Sequence, residues 1–243
     1  MIIAHPRRRA VGINRMGKLP QPLSSRGICY TRRSIRSVMG SNPFQQHMDK
    51  DNLRHILTFL NQAEKLKTIQ RKVSISDNSR KESPAEHSWR VALMAMILHR
   101  ELDLKIDLLK SLEIMMVHDL VEVTAGDVWI LDRDDKAAHD DQQKKEMRAA
   151  QDLYALLPGK TGEALKALWL EYEHQSSAEA KFAKALDKME VIIQRIDLGK
   201  NNWERDDIYS ILLHWADEPV HNFPELKAMW KIVQEELTAQ QSL

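Results

Sequence analysis

A single cysteine, Cys29, stands in a chain of 243 residues. That excludes an intrachain disulfide framework and any Cys-x-x-Cys metal knuckle, and it points to a reducing compartment. Glycine and proline are scarce at eight each, which argues against a loop-rich all-β protein. No apolar run approaches the ~18 residues of a membrane span. No Gly-rich loop that could cradle phosphates is present. Aromatic residues make up only 6% against 43% apolar and 29% charged, the balance of an ordinary soluble globular chain.

Acidic residues are missing from the first 48 positions. Residues 1–48 hold nine basic residues, from Arg7 to Arg36, and the first acid is Asp49. The formal charge of +1 therefore hides an asymmetry, because residues 49–243 carry 27 basic and 35 acidic residues. The basic segment contains Pro6, Pro20, Pro22, Pro43 and four glycines, and it shows neither helical nor strand periodicity. It reads as a disordered extension, residues 1–48, ahead of one domain, residues 49–243. Three explanations stand for it: a targeting peptide, a nucleic-acid-binding arm, or sequence upstream of a true start at Met39 or Met48. It lacks the apolar core of a secretory signal.

From Asp49 onward the apolar period is near 3.6, and all-α is the expected class. Leu53, Ile56, Leu57 and Leu60 form one stripe that runs toward Leu66 or Ile69. Ser83-Pro84-Ala85-Glu86 is a capping box with proline at the first helical position. The spacing predicts further helices over about 107–122, 138–157, 161–174, 177–198, 204–215 and 224–239. Ser176-Ser177-Ala178-Glu179 reads as a second capping box, and Pro158-Gly159 and Glu218-Pro219 as helix breaks. Met94, Met96, Met115 and Met116 read as core filler.

Three apolar segments carry an ionisable residue where an apolar one would pack: His87, His118-Asp119 and Asp187. Burying a carboxylate there is costly unless it is paired or bound to a cation. Imidazole and carboxylate suit Mn, Fe, Co, Ni or Zn. Four such groups on three helices could close around one ion, which would polarise a phosphoryl oxygen. Glu122 lies four residues after His118, on the same helical face, where it could position water or move a proton. The bland readings stand beside these: Asp187 as a surface acid, Glu122 as a solvated i,i+4 charge, and His99, His139, His174, His214 and His221 as ordinary surface or core histidines.

The order His87, then His118-Asp119, then Asp187 resembles the HD-domain metal-dependent phosphohydrolases, which are helical bundles. Longer blocks agree: Ala63 to Lys67, Glu82 to Trp89, His118 to Asp127, Glu171-Tyr172-Glu173, and Ser177 to Lys188. They resemble the branch that contains the 5′-deoxynucleotidases, from about residue 50 to 240. The resemblance implies that His87, His118, Asp119 and Asp187 are the ligands of one divalent ion: Mn, Co, Fe, Ni, Zn or Mg. It implies that Glu122, with Asp119, carries the catalytic step at the attacking water. Arg71 would face the substrate phosphate, as a guanidinium suited to bidentate binding, and Asp127 the substrate end of the pocket. The alternatives are a solvated helix-end residue for Arg71 and a turn residue for Asp127.

Such enzymes act on nucleoside monophosphates and often form homodimers. The expected function is therefore a nucleoside (deoxy) 5′-monophosphate phosphatase, cytoplasmic, with no membrane partner and no nucleic acid. The rivals are another HD-type nucleotide hydrolysis, of triphosphate, cyclic or guanosine polyphosphate substrates, and a non-catalytic metal-bound helical module. This sequence departs from the pattern at Lys72, where the characterised deoxynucleotidases place a tryptophan near the sugar. Trp129 could shape the pocket or pack in the core. The charge run from Asp132 reads as a solvated loop entering a helix, or as a lid.

Overall fold

The first-turn N–H groups of a helix have no partner inside it, so side chains that close them decide where helices begin. Ser83 and Glu86 do this reciprocally. The Ser83 hydroxyl accepts from the Glu86 amide at 3.3 Å, and the Glu86 carboxylate accepts from the Ser83 amide at 2.9 Å. This starts α2 (Pro84–Glu101). Asp49 caps α1 (Lys50–Ala63) and Asp107 caps α3 (Leu108–Val117) in one direction only, each carboxylate accepting from a first-turn amide.

The structure is a computed structural model that describes residues 49–127, 136–200 and 208–241. After α1 comes a short 3-10 turn, Glu64–Thr68. The one-turn helix α4 (Glu122–Ala125) follows α3. Then come α5 (Lys136–Tyr154), α6 (Lys160–His174), α7 (Ala178–Leu198), α8 (Ile208–His221) and α9 (Lys227–Gln241). Among the described residues there is no strand, only an isolated antiparallel bridge between Ser74 and Lys81. The expected all-α class is what the described residues form. None of their helices is long and apolar enough to cross a membrane.

Helix α7 runs through the middle. Phe182, Leu186, Met189 and Ile192 along it are fully buried, and it packs against α2, α3, α6, α8 and α9. A second cluster joins α1, α5 and α6 through Phe59, Ala150, Tyr154 and Trp169. The Tyr154 hydroxyl donates to the Val117 carbonyl at 3.1 Å, which ties this cluster to the end of α3. Pro158-Gly159 separates α5 from α6 as expected, with Gly159 at φ 53°.

Several local expectations are corrected. The helix predicted over 107–122 ends at Val117, because the His118 ring turns back onto the Met115 carbonyl at 2.7 Å and i→i−3 bonds take over, such as Glu122 N to Asp119 O at 3.0 Å. The box expected at Ser176–Glu179 does not form. Ser177 is the cap and accepts from Ala180 at 3.1 Å, while Glu179 accepts instead from the Asp107 amide at 3.2 Å. Helix α8 runs through Pro219. The proline sits in the last turn, where its missing N–H removes one bond and the helix stops two residues later. Met115 and Met94 belong to the core, but Met96 and Met116 are exposed. The α1 stripe is also exposed at Leu53, Leu57 and Leu60, and α1 is seated by Phe59 and Ile56. The expectations for residues 1–48, for Trp129 and for 132–135 lie outside the described residues.

Candidate metal centre

Three core helices bring the ionisable residues together. Helix α2 contributes His87, the end of α3 contributes His118, and α7 contributes Asp187, all buried. Each offers a donor atom, and these atoms lie within 4.8 Å of one another. The His87 Nε2 to Asp187 Oδ1 distance is 3.0 Å. Asp119 stands beside the trio, its Oδ1 3.1 Å from His118 Nε2.

The hydrogen bonds assign the His118 tautomer. A carbonyl only accepts, so Nδ1 carries the proton donated to Met115. Nε2 is buried with no hydrogen-bond partner, and its contact with Asp119 lies outside hydrogen-bond geometry. Asp119 Oδ2 and Glu122 Oε2 are likewise buried without hydrogen bonds. An orphaned imidazole nitrogen among orphaned carboxylate oxygens is costly in a buried site, and a divalent cation removes that cost. The donor set thus fits a borderline-to-hard metal ion.

Asp187 is further held from two sides. Tyr172 on α6 donates its hydroxyl to Oδ2, and Lys188 Nζ lies 2.9 Å from the same oxygen. Burial works to raise the Asp187 pKa, but Lys188, His87 and His118 outweigh it and hold the group well below the usual carboxylate range. Burial also opposes ionisation of Asp119, yet His118, His87 and Arg71 bring it to about 2. Glu122 differs. Burial, then Asp119 and Asp127, push it well above the ordinary value, so it favours the protonated form more than its neighbours do.

A cavity opens beside the trio. Arg71, Asp119, Glu122 and Asp127 line it, with Lys184 and Lys188 from α7. Arg71 comes from the segment before α2. Its Nε is 3.3 Å from Glu82 Oε2 and its Nη1 3.6 Å from Asp119 Oδ2. Its backbone amide also donates to the Glu82 carbonyl at 2.8 Å. Gly126, at φ 79°, makes the turn that delivers Asp127 to the cavity. All seven residues singled out in the sequence are therefore gathered in one place. One route to that grouping is corrected: Glu122 does not share a helical face with His118, because α3 ends before it and α4 carries Glu122 back.

Sequence reasoning missed roles for Glu82, Tyr172, Lys184, Lys188 and Glu190. Glu190 is wholly buried, with Oε2 2.6 Å from His87 Nδ1. Burial and the Arg71 charge would lower the His87 pKa, but Glu190 and Asp187 more than offset them and lift it to about 9. Glu82 is pushed up to about 7 by burial and by Glu190. For Glu190 the available signal was spacing: it lies i+3 from Asp187, on the same face of the helix.

Comparison with known proteins agrees with this arrangement. The model of the family described as HD domain matches residues 63–227. The curated 5′-deoxynucleotidase HDDC2 of Xenopus laevis is 34% identical over 161 residues, covering 65% of this chain and 77% of the relative. The 5′-deoxynucleotidase hdd1 of Schizosaccharomyces pombe is 32% identical over 154 residues, covering 62% and 76%. A crystal structure of a predicted metal-dependent phosphohydrolase from Magnetospirillum magnetotacticum superposes with a TM-score of 0.68 at 30% identity, covering 80% of this chain and 99% of that one. A conserved hypothetical protein from Pyrococcus furiosus, at 24% identity and a TM-score of 0.58, covers 74% and 99% and shares the fold.

Proposed function

Because this chain belongs to the HD-domain family and is a metal-dependent phosphohydrolase, we propose that it hydrolyses nucleoside 5′-monophosphates, deoxynucleotides among them, to a nucleoside and inorganic phosphate. The observation that carries this reading is the bare, buried His118 Nε2 among carboxylates, beside a cavity that Arg71 and Glu122 also line. His87, His118, Asp119 and Asp187 would hold the ion. When bound, it supplies Lewis-acid charge toward a phosphoryl oxygen and lowers the pKa of a bound water.

The rest falls to the chain's own residues. Arg71 presents a planar fork to the phosphate, and its links to Glu82 and Asp119 keep it from swinging into solvent. Lys184 and Lys188 add positive charge to the same cavity. Glu122 accepts a proton from the water that attacks phosphorus in line. The P–O5′ bond breaks, and the nucleoside leaves as an alcohol after taking up that proton. No covalent phospho-enzyme is required.

Sugar choice cannot use a tryptophan after Arg71, since Lys72 is there. Aromatic surface in the cavity comes instead from Trp169, Tyr172 and Trp215. The reading places the enzyme in the cytoplasm as a homodimer, with residues 1–48 an extension outside the catalytic domain at 49–243. Self-association is supported by Trp89, Leu93, Met96 and Ile97, exposed along one face of α2.

The test is phosphate release from a panel of ribo- and deoxynucleoside 5′-monophosphates with Mn, Co, Mg or Zn added in turn, and Asp119→Ala as control. Metal-dependent release that disappears in the control is the expected result. No release from any monophosphate with metal bound would overturn the reading.

A further inference from the structure

Behind the metal ligands lies a second buried group of charges: Glu82, His87 and Glu190, whose donor atoms also lie within 4.8 Å of one another. Two explanations compete for it. A second cation could sit there, or the group could serve the first site from behind.

Charge decides between them. Arg71 Nε lies 3.3 Å from Glu82, and Arg90 Nη1 lies 3.2 Å from Glu190 Oε1. Two carboxylates already face two guanidiniums, so a divalent cation would have to displace one or both arginines. His87 also has one nitrogen on each side. Its Nε2 faces Asp187 at 3.0 Å, and its Nδ1 faces Glu190 Oε2 at 2.6 Å. A ring that offers Nε2 to a metal must carry its remaining proton on Nδ1.

We propose that Glu190 is a positioning residue for the metal centre: it accepts the Nδ1 proton of His87, fixes the ring's tautomer and orientation, and so presents Nε2 to the ion. The inference rests on the metal-centre reading above. The arrangement is rigid at both ends. Glu190 and Asp187 stand one helical turn apart on α7, so the residue that would bind the ion and the residue that orients its neighbour share one backbone. Arg90, one turn along α2 from His87, holds the other Glu190 oxygen and is itself held by Asp197 Oδ2 at 2.9 Å. This chain of contacts leads from the centre toward the surface and fixes the Glu190 rotamer. A carboxylate partner also makes the imidazole a better donor, and removing such a partner typically costs about 10–100-fold in metal affinity.

The experiment is equilibrium dialysis of the full chain against cobalt(II) after chelation, comparing the parent with Glu190→Gln and Glu190→Leu. Glutamine keeps an acceptor but no charge, so affinity falls about 10-fold; leucine keeps neither, so it falls about 100-fold. A merely structural role would lower the thermal midpoint of the metal-free protein and leave cobalt affinity unchanged, which would overturn the proposal. A measurement on the parent alone guards against a variant that fails to fold. Histidine ¹⁵N NMR of the zinc-loaded parent should place the His87 proton on Nδ1, and a proton on Nε2 would overturn it too. A parent that binds no cobalt would overturn the metal-centre reading and this inference with it. Tight parent binding with unchanged Glu190→Gln affinity would overturn this inference only.

Discussion

Tyr172 donates its hydroxyl to the Asp187 carboxylate from across the α6–α7 interface, while its ring meets the His118 ring edge-on at 4.9 Å between centroids. One side chain thus braces two residues of the candidate centre. Tyr172→Phe keeps the ring and removes the donor. A hydrogen bond to a charged group is worth about 1.5–3 kcal/mol, so metal affinity should drop roughly tenfold or more while helix content is retained. Metal titration with circular dichroism checks this; unchanged affinity would show that Lys188 alone suffices.

Arg71→Lys retains the positive charge and loses the fork. Lysine offers a point charge on a flexible stem and cannot bind a phosphate bidentately. The expected outcome is a fall of about tenfold or more in kcat/KM, with metal content unaltered. Steady-state kinetics on one nucleotide beside metal analysis would decide it; wild-type kinetics would remove Arg71 from the substrate contacts.

Ser83→Ala deletes half of the box that opens α2. Lost caps cost about 1 kcal/mol, which for a domain of this size lowers the thermal midpoint by about 2–4 °C. His87 lies in the first turn of that helix, so metal affinity should weaken with it. Calorimetry on the metal-free and loaded forms reads both effects.

Gly162→Ala tests the α5–α6 junction. A Cβ at Gly162 would stand 2.2 Å from the Tyr154 carbonyl oxygen, a backbone atom that cannot rotate away. Overpacking of this kind costs typically 1–3 kcal/mol. Urea unfolding should show a lower midpoint at unchanged slope, and a neutral result would mean the two helices slide apart freely.

Ile97→Glu places a charge in the exposed apolar face of α2. If two copies meet there, sedimentation should show the parent as a dimer and the variant as a monomer. A dimer in both would move the contact elsewhere on the surface.

What was legible in the sequence was mostly local. Ser83 to Glu86 declares a helix start because both partners lie within one turn. Ionisable groups on apolar helices mark His87, His118-Asp119 and Asp187 as expensive to bury, but it was their resemblance in order to the HD-domain phosphohydrolases that made them a candidate metal site. What was hidden depends on contacts that exist only after folding. The early end of α3 follows from where the His118 ring turns, and sequence periodicity runs on through it. Glu190 reads as an ordinary helix acid until α2 lies against α7. The exposed faces of α1 and α2 could not be told from core stripes, since periodicity reports that a face exists and not what covers it.

Helix α7 carries Asp187 and Glu190 and also supplies the middle of the hydrophobic core through Leu186, Met189 and Ile192. Arg71, Lys72 and Asp127, by contrast, sit on connecting segments. The candidate ligands on α7 are therefore anchored where change is punished by loss of the fold, and these cavity-lining groups are placed where change is tolerated. A lineage built on this scaffold is free to exchange one nucleotide preference for another by altering a few connector residues, without disturbing the reaction that all of them share.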